Sequence, residues 1–316
     1  NYIFGNSLVP GKSQDRIGNS SLTWEETKQW NIGVDMGFFN DRIFLMYDYY
    51  LKRTDGLLYA IDIPVSTGFS NIESNIGDFK SWGHEITVST KNLVNDFRWS
   101  TDFNISFNRN EVLKLGTNDA PVGGYQERND FNRLQVGKPI GIFMGYVYDG
   151  VYMNQQEFDS QPKHATSRLG SVRMKDIDQN GVIDINDRTI IGDPNPDFIF
   201  GLTNDFRYKN FDLSIHLAGA VGGDVISWSR ENQDNLDGVF NVRKDLANRG
   251  RSEENPGNGK IPGTMAGSTG LYFMTQSDWV SDGSYLTIKN VTVGYTIPIK
   301  SNPYLSKARL YISGQQ

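Results

Sequence analysis

The chain has 316 residues, with 31 Lys and Arg against 37 Asp and Glu, a net charge of −6 and no Cys. The missing Cys excludes a disulfide scaffold, thiolate metal sites and a cysteine nucleophile, and the acidic balance argues against nucleic-acid binding through bulk charge. Aromatics reach 12% while all hydrophobic residues together reach only 37%, which fits many strands with one apolar face each better than it fits disorder. The three His (His84, His164, His216) are widely separated, so no His-based metal centre is written locally. No stretch of about 18 apolar residues offers a transmembrane helix. There is no initiator Met and no signal segment, and the expectation is a piece of a longer protein.

Period-2 alternation dominates, in pairs joined by short polar turns. Ile32, Val34, Met36 and Phe38 share one face, with Asn31, Gly33, Asp35 and Gly37 on the other. After a turn at Asn40-Asp41, Ile43, Leu45, Tyr47, Tyr49 and Leu51 return on one face, opposite Asp48. A strand at Gly83 to Thr90 leads through a turn at Asn92 to Asp96 into Phe97 to Asn108. There Phe97, Trp99, Thr101, Phe103, Ile105 and Phe107 alternate with Arg98, Ser100, Asp102, Asn104, Ser106 and Asn108. A third pair runs from Phe198 to Tyr208, turns at Lys209-Asn210 and returns through Phe211, Leu213, Ile215 and Leu217. Near the end Val291, Val293, Tyr295 and Ile297 alternate, and Leu310 and Ile312 belong to one more strand. Leu286 and Ile288 are out of phase with Val291 and Val293, which predicts a bulge near Lys289-Asn290.

The connections at one end are short. At the other they are long, at 52–75, 109–196 and 219–284, and rich in Gly, Asn, Asp and Pro. That asymmetry is the layout of a transmembrane β-barrel with short periplasmic turns and long extracellular loops. Strands of about 9–11 residues cross a bilayer when tilted. Arg98, Asp102, Asn104 and Asp48 would then line a wet lumen, and Phe38, Phe39, Phe97, Trp99, Phe206, Tyr208 and Phe211 would form an interfacial girdle by the short turns. The competing architecture is a soluble, calcium-stabilised β-sandwich that binds or hydrolyses carbohydrate.

One segment carries metal chemistry. Asp176, Asp178, Asn180, Asp184 and Asp187 fall at positions 1, 3, 5, 9 and 12 of a calcium loop of EF-hand or dockerin type, with Gly181 at position 6 and the carbonyl of Val182 at position 7. A hard cation needs six to eight oxygens, and the turn at Gly181 lets the early side chains converge. Asp187 is shorter than the usual Glu there. Without an ion, the same residues make a loop held by side-chain-to-backbone bonds. No helix pair flanks it, so the expected role is a structural clip on an outer loop. The loop aromatics Tyr125, Trp228, Tyr272, Phe273 and Trp279 are candidates for stacking on a sugar ring, or for packing the loops together. No GxSxG, Walker A or GxGxxG element occurs, so nothing supports an enzyme.

Leu22-Thr23-Trp24-Glu25 followed by Gln29-x-Asn31-Ile32-Gly33-x-Asp35 resembles a segment of the SusC/RagA-like TonB-dependent outer-membrane transporters. Phe38 to Arg42, Asp48-Tyr49-Tyr50, Asn75-Ile76-Gly77, Trp82 to Glu85 and Gly137 to Gly141 continue the resemblance in family order. Lys175 to Asp187, Gly192-x-Pro194-Asn195-Pro196, Lys209 to Asp212 and Ser284-Tyr285-Leu286 complete it. The resemblance implies a barrel of about 22 strands, of which this chain supplies about nine from the C-terminal part, the plug and first barrel strands being absent. It implies import of a nutrient, most often an oligosaccharide and otherwise a peptide. The implied partners are a SusD-like surface lipoprotein lid and, through the missing N-terminal region, the TonB-ExbB-ExbD complex. A siderophore receptor would share the barrel without the lid.

Overall fold

The computed structural model describes residues 2–4, 7–9, 16–116, 118–123, 131–236, 240–263, 271, 274–299 and 304–316. Eight strands form one antiparallel sheet in which each pairs with its sequence neighbours. They are β1 (Glu26–Phe38), β2 (Ile43–Asp62), β3 (Asn71–Val94), β4 (Phe97–Leu115), β5 (Pro196–Tyr208), β6 (Phe211–Gly222), β7 (Tyr285–Ile297) and β8 (Ala308–Gln315). The sequence predicted about nine strands; the described wall has eight.

Register carries the alternation of each strand across the sheet. Phe103 sits opposite Leu202 and Val88, while Asp102 sits opposite Thr203 and Ser89. Phe211 faces Tyr295, and Tyr295 faces Leu310. One face of the sheet is therefore apolar and the other polar, as pleating requires. The apolar face is uncovered: Ile312 is 82% exposed, and Phe103, Ile105, Leu213 and Ile215 all remain partly exposed. Among the described residues no second sheet lies on them, which overturns the sandwich alternative. No described helix is long and apolar enough to cross a membrane. The uncovered face suits lipid, where every backbone group must be paired within the protein.

The short turns have local causes. Phe39, Asn40 and Asp41 all have positive φ (56°, 56° and 58°), a tight reversal closed by the Arg42 amide donating to the Phe38 carbonyl at 3.1 Å. Asn and Asp tolerate that region; Phe39 does so at some strain. The Arg42 guanidinium reaches the neighbouring turn, donating to the carbonyls of Lys91 and Asn92 at 3.0 and 2.8 Å. Outward aromatics gather beside these turns, with Trp99 and Phe97 stacked on Phe206 at centroid distances of 5.8 and 6.3 Å. The predicted bulge is present: Asn290 pairs with His216 but Ile288 with Leu217, leaving Lys289 as the extra residue.

Two expected loops are shorter than the sequence implied. Residues 52–75 are mostly strand, because β2 and β3 stay paired up to Asp62 and Asn71 and only 63–70 connect them. β4 likewise continues to Leu115. Charged residues mark this extension, with Arg53 paired to Asp55 at 2.7 Å and Lys80 to Glu111 at 2.7 Å. Above a bilayer the backbone ladder persists while the apolar alternation ends, so polarity there does not signal a loop.

The polar face is built by close fits. The Tyr50 ring lies over Gly83, where a Cβ would come within 2.6 Å of it, and its hydroxyl donates to Asn108 Oδ1 at 2.6 Å. Arg309 on β8 crosses β7 to Asp212 on β6, donating from Nε at 3.0 Å. It passes over Gly294, where any side chain would collide with the guanidinium. His216 lies on this face, 2.8 Å from the Thr203 hydroxyl, whereas His84 lies on the apolar face, 2.8 Å from the Tyr47 hydroxyl.

Candidate functional site

The two long connections fold together at the end of the wall opposite the short turns. Strand Ile142–Gly145 pairs with Thr189–Gly192, Tyr148–Val151 with Val172–Met174, and Asp224–Ile226 with Val280–Asp282. The Tyr146 amide donates to the Thr275 carbonyl at 2.8 Å, and the Gly263 amide to the Gly170 carbonyl at 2.7 Å. Tyr146, Val172, Met174, Ile183, Leu271 and Trp279 form their shared core. This is one unit with an interior of its own, which the sequence reading missed.

Two of the candidate stacking aromatics belong to that interior. Trp279 is fully buried in the shared core, so of its two expected uses it packs the loops together and is not an exposed ring for a sugar. Trp228 is half-buried, stacked on Phe131 at 4.8 Å and edge-on to Trp279 at 6.1 Å. Tyr125, Tyr272 and Phe273 lie outside the described residues.

The Asp-rich loop follows strand Val172–Met174. Gln179 and Gly181 take positive φ (61° and 86°), which folds the chain back so that the Gly181 amide donates to Asp176 Oδ2 at 2.8 Å. Ile183, 2% exposed, anchors the loop in the core. Asp187 is fully buried, accepting from the amides of Ile177 at 2.7 Å and Asp184 at 2.8 Å. Carboxylate oxygens of Asp176, Asp178 and Asp187 all lie within 4.8 Å of one another. Asn180 and Asp184 point their oxygens at backbone amides instead, those of Val182 and Asn186 at 2.8 Å each. Val182 is half-exposed, at 50%.

An oxygen-only set suits a hard cation. The orphaned Asp176 Oδ1, buried without a hydrogen-bond partner, fits that use. Desolvation pushes the Asp176 carboxyl up, but the amides of Gly181, Gln179 and Asn180 outweigh it and hold the group below its ordinary range. Its contribution to loop stability is therefore present above the unfolded value and lost as pH falls through the lowered folded one.

A second polar cluster escaped the sequence reading. Arg230 donates to Asp234 Oδ2 at 2.9 Å and to Asp278 Oδ2 at 2.5 Å, while Arg243 pairs with Asp234 at 2.9 Å and Asp245 at 3.0 Å. Only the i,i+4 spacing of Arg230 and Asp234 signalled it. This network ties Arg230, Asp234, Arg243 and Asp245 to Asp278, the chain neighbour of Trp279.

Burial pushes the phenols of Tyr148 and Tyr152 up to about 12, with hydroxyls donating to the carbonyls of Lys260 at 2.6 Å and Pro162 at 2.5 Å. Their neutral forms are favoured in the folded state. They stabilise the loop unit fully below pH ~10, the ordinary tyrosine value, and lose that contribution as pH rises through about 12. Alkaline titration of the full-length protein should open the loop unit over that window. Protease cleavage within 131–283 reads it, and Tyr152→Phe should move the onset upward.

A sheet with one lipid-compatible face and one polar face, tight turns at one end and a folded loop unit at the other, defines the wall of a transmembrane β-barrel. No family model matches the chain. Among curated proteins it is 34% identical over 323 residues to TonB-dependent receptor P3 of Formosa agariphila, covering 99% of this chain and 31% of that protein. It is 31% identical over 309 residues to TonB-dependent receptor SusC of Bacteroides thetaiotaomicron, covering 93% of this chain and 28% of that one. Among solved structures it superposes on the RagAB peptide transporter with a TM-score of 0.78 at 22% identity, over 95% of this chain and 32% of that chain, a likeness of fold. With these relatives the chain belongs to the SusC/RagA-like TonB-dependent receptors. It spans about a third of their length. TonB-dependent receptors are outer-membrane β-barrel proteins.

Proposed function

We propose that the chain is the C-terminal barrel portion of an outer-membrane importer, whose plug and N-terminal strands lie elsewhere in the full protein. Its cargo is an oligosaccharide, captured between the loop unit and a SusD-like surface lipoprotein. The TonB-ExbB-ExbD complex then displaces the plug at the expense of the proton-motive force. The observation that carries this reading is the continuous polar face of β1 to β8, a water-compatible wall for a hydrophilic solute, together with sequence similarity to SusC along 93% of the chain. Deleting the gene, or that of the lid, should abolish growth on the cognate oligosaccharide, as should a protonophore in an uptake assay. Uptake unaffected by either would reject it. A peptide importer of the same family is the second reading, favoured by the fold likeness to RagAB, a peptide transporter; labelled oligopeptide uptake separates the two.

The Asp176–Asp187 loop, in this proposal, takes one calcium ion as a structural clip. Asp176, Asp178 and Asp187 would hold it, aided by Asn180, Asp184 and the Val182 carbonyl. The ion would supply charge neutralisation for three clustered carboxylates and no chemistry on the cargo. Calcium should raise the thermal midpoint of the full-length receptor, and Asp187→Ala should remove that response. An unchanged midpoint at millimolar calcium refutes the clip.

A further inference from the structure

Three arginines of the loop unit pair with carboxylates. Arg173 meets Asp149 at 3.1 Å and also Glu157, Arg230 meets Asp234 and Asp278, and Arg243 meets Asp234 and Asp245. Three others are treated differently. Arg168, Arg249 and Arg251 line one cavity of about 480 Å³, and among the described residues no carboxylate lies at ion-pair distance from any of them. Arg249 and Arg251 are oriented from behind: Nη1 of the first donates to the Leu246 carbonyl at 3.2 Å, and Nη2 of the second to the Ala247 carbonyl at 3.0 Å. Each guanidinium has five N–H donors in a fixed fork, so several per residue stay free.

The cavity is kept open by glycines. Gly170, Gly250 and Gly263 all line it. A Cβ on Gly263 would strike the Gly250 carbonyl, one on Gly250 would come within 2.9 Å of the Pro256 carbonyl, and Gly170 has φ 82°. The backbones meet there because nothing projects from them. The result is a concave space of ligand-binding size with three uncompensated positive charges around it, on a chain whose net charge is −6.

We propose that this cavity is a subsite for the oxyanion substituent, a sulfate ester or a carboxylate, of an acidic oligosaccharide. The inference rests on the importer reading only in treating the ligand as cargo. Bidentate forks match the oxygens of such groups and discriminate them from hydroxyls. Three separate forks around one space suit a tetrahedral group with several outward oxygens, or two substituents on neighbouring sugars. Peptide carboxylates are planar and present two oxygens each, whereas a sulfate ester on a sugar presents three outward oxygens, so an acidic peptide is the less well matched ligand.

The test is calorimetry on the full-length receptor with its lid in detergent. The probes are a sulfated galactose disaccharide, digalacturonate, neutral maltotetraose and tetra-aspartate. At least one acidic sugar should bind, more weakly as salt rises, and the double variant Arg249→Gln/Arg251→Gln should weaken it about tenfold or more while leaving the thermal midpoint in place. Arg168→Gln, at an exposed residue, gives the same readout if the double variant fails to fold. Stronger binding of the sulfated probe assigns a sulfate ester; stronger binding of digalacturonate assigns a carboxylate. No binding of either acidic sugar, unchanged affinity in the variants, or binding of tetra-aspartate alone overturns the subsite. Binding in detergent does not involve TonB. Failure here with TonB-dependent uptake intact would remove the subsite alone, whereas binding here without TonB-dependent uptake would remove the importer reading.

Discussion

Trp279→Ala should open the outer loop unit, at a cost of about 3–5 kcal/mol, the range for emptying a large buried aromatic site. Trp279 is fully buried and sits among Tyr146, Val172, Met174, Ile183 and Leu271, contributed by both long connections. Its removal leaves a cavity where the two connections meet. Protease accessibility of residues 131–283 in intact cells is the measurement, and unchanged cleavage would contradict the packing described. Trp279→Phe should cost much less. Its indole N–H is buried without a hydrogen-bond partner, so phenylalanine keeps most of the ring contact and removes an unsatisfied donor.

Phe103→Lys and Asn104→Lys should differ sharply although the residues are neighbours. Phe103 is on the apolar face opposite Leu202, and Asn104 on the polar face opposite Gly201. A lysine on the lipid face near the bilayer midplane costs about 2–4 kcal/mol, whereas one facing the lumen is hydrated. Reversible folding of the full-length receptor into phospholipid vesicles measures both. Equal costs would mean that the faces are assigned wrongly.

The wall was legible because a two-sided environment writes itself into every second residue. Phe97 to Asn108 alternates without a break, and the structure places it as read. The turns at Asn40-Asp41 and Lys209-Asn210 and the bulge at Lys289 were legible for the same reason, since each interrupts or resets the phase. Above the membrane that signal vanishes. Lys52 to Asp55 are strand residues whose pairing is backbone-driven: Lys52 and Arg53 are exposed, Arg53 pairs with Asp55, and the one buried side chain, Thr54, is a hydroxyl bonded to that of Thr27. The outer loop unit was illegible for a different reason. Its core is assembled from single residues far apart in sequence, such as Tyr146, Ile183 and Trp279, each set in Gly- and Asn-rich context with no period to detect. The acidic loop was legible in spacing but not in allocation. Asp176, Asp178 and Asp187 converge, while Asn180 and Asp184 turn to the nearby amides of Val182 and Asn186.

The contact between Arg309 and Asp212 works as a mechanical detent for the final hairpin. It engages only when the bare backbone of Gly294 lies between the two charges. Slipping β8 by one residue would send the guanidinium into lipid. Slipping it by two, so that Tyr311 takes the place of Arg309 opposite Thr296, would offer Asp212 a phenol, which cannot make the forked grip that arginine makes. A single missing methyl thus gives the last strands of a long, repetitive ladder a way to recognise the one alignment in which every rung is filled.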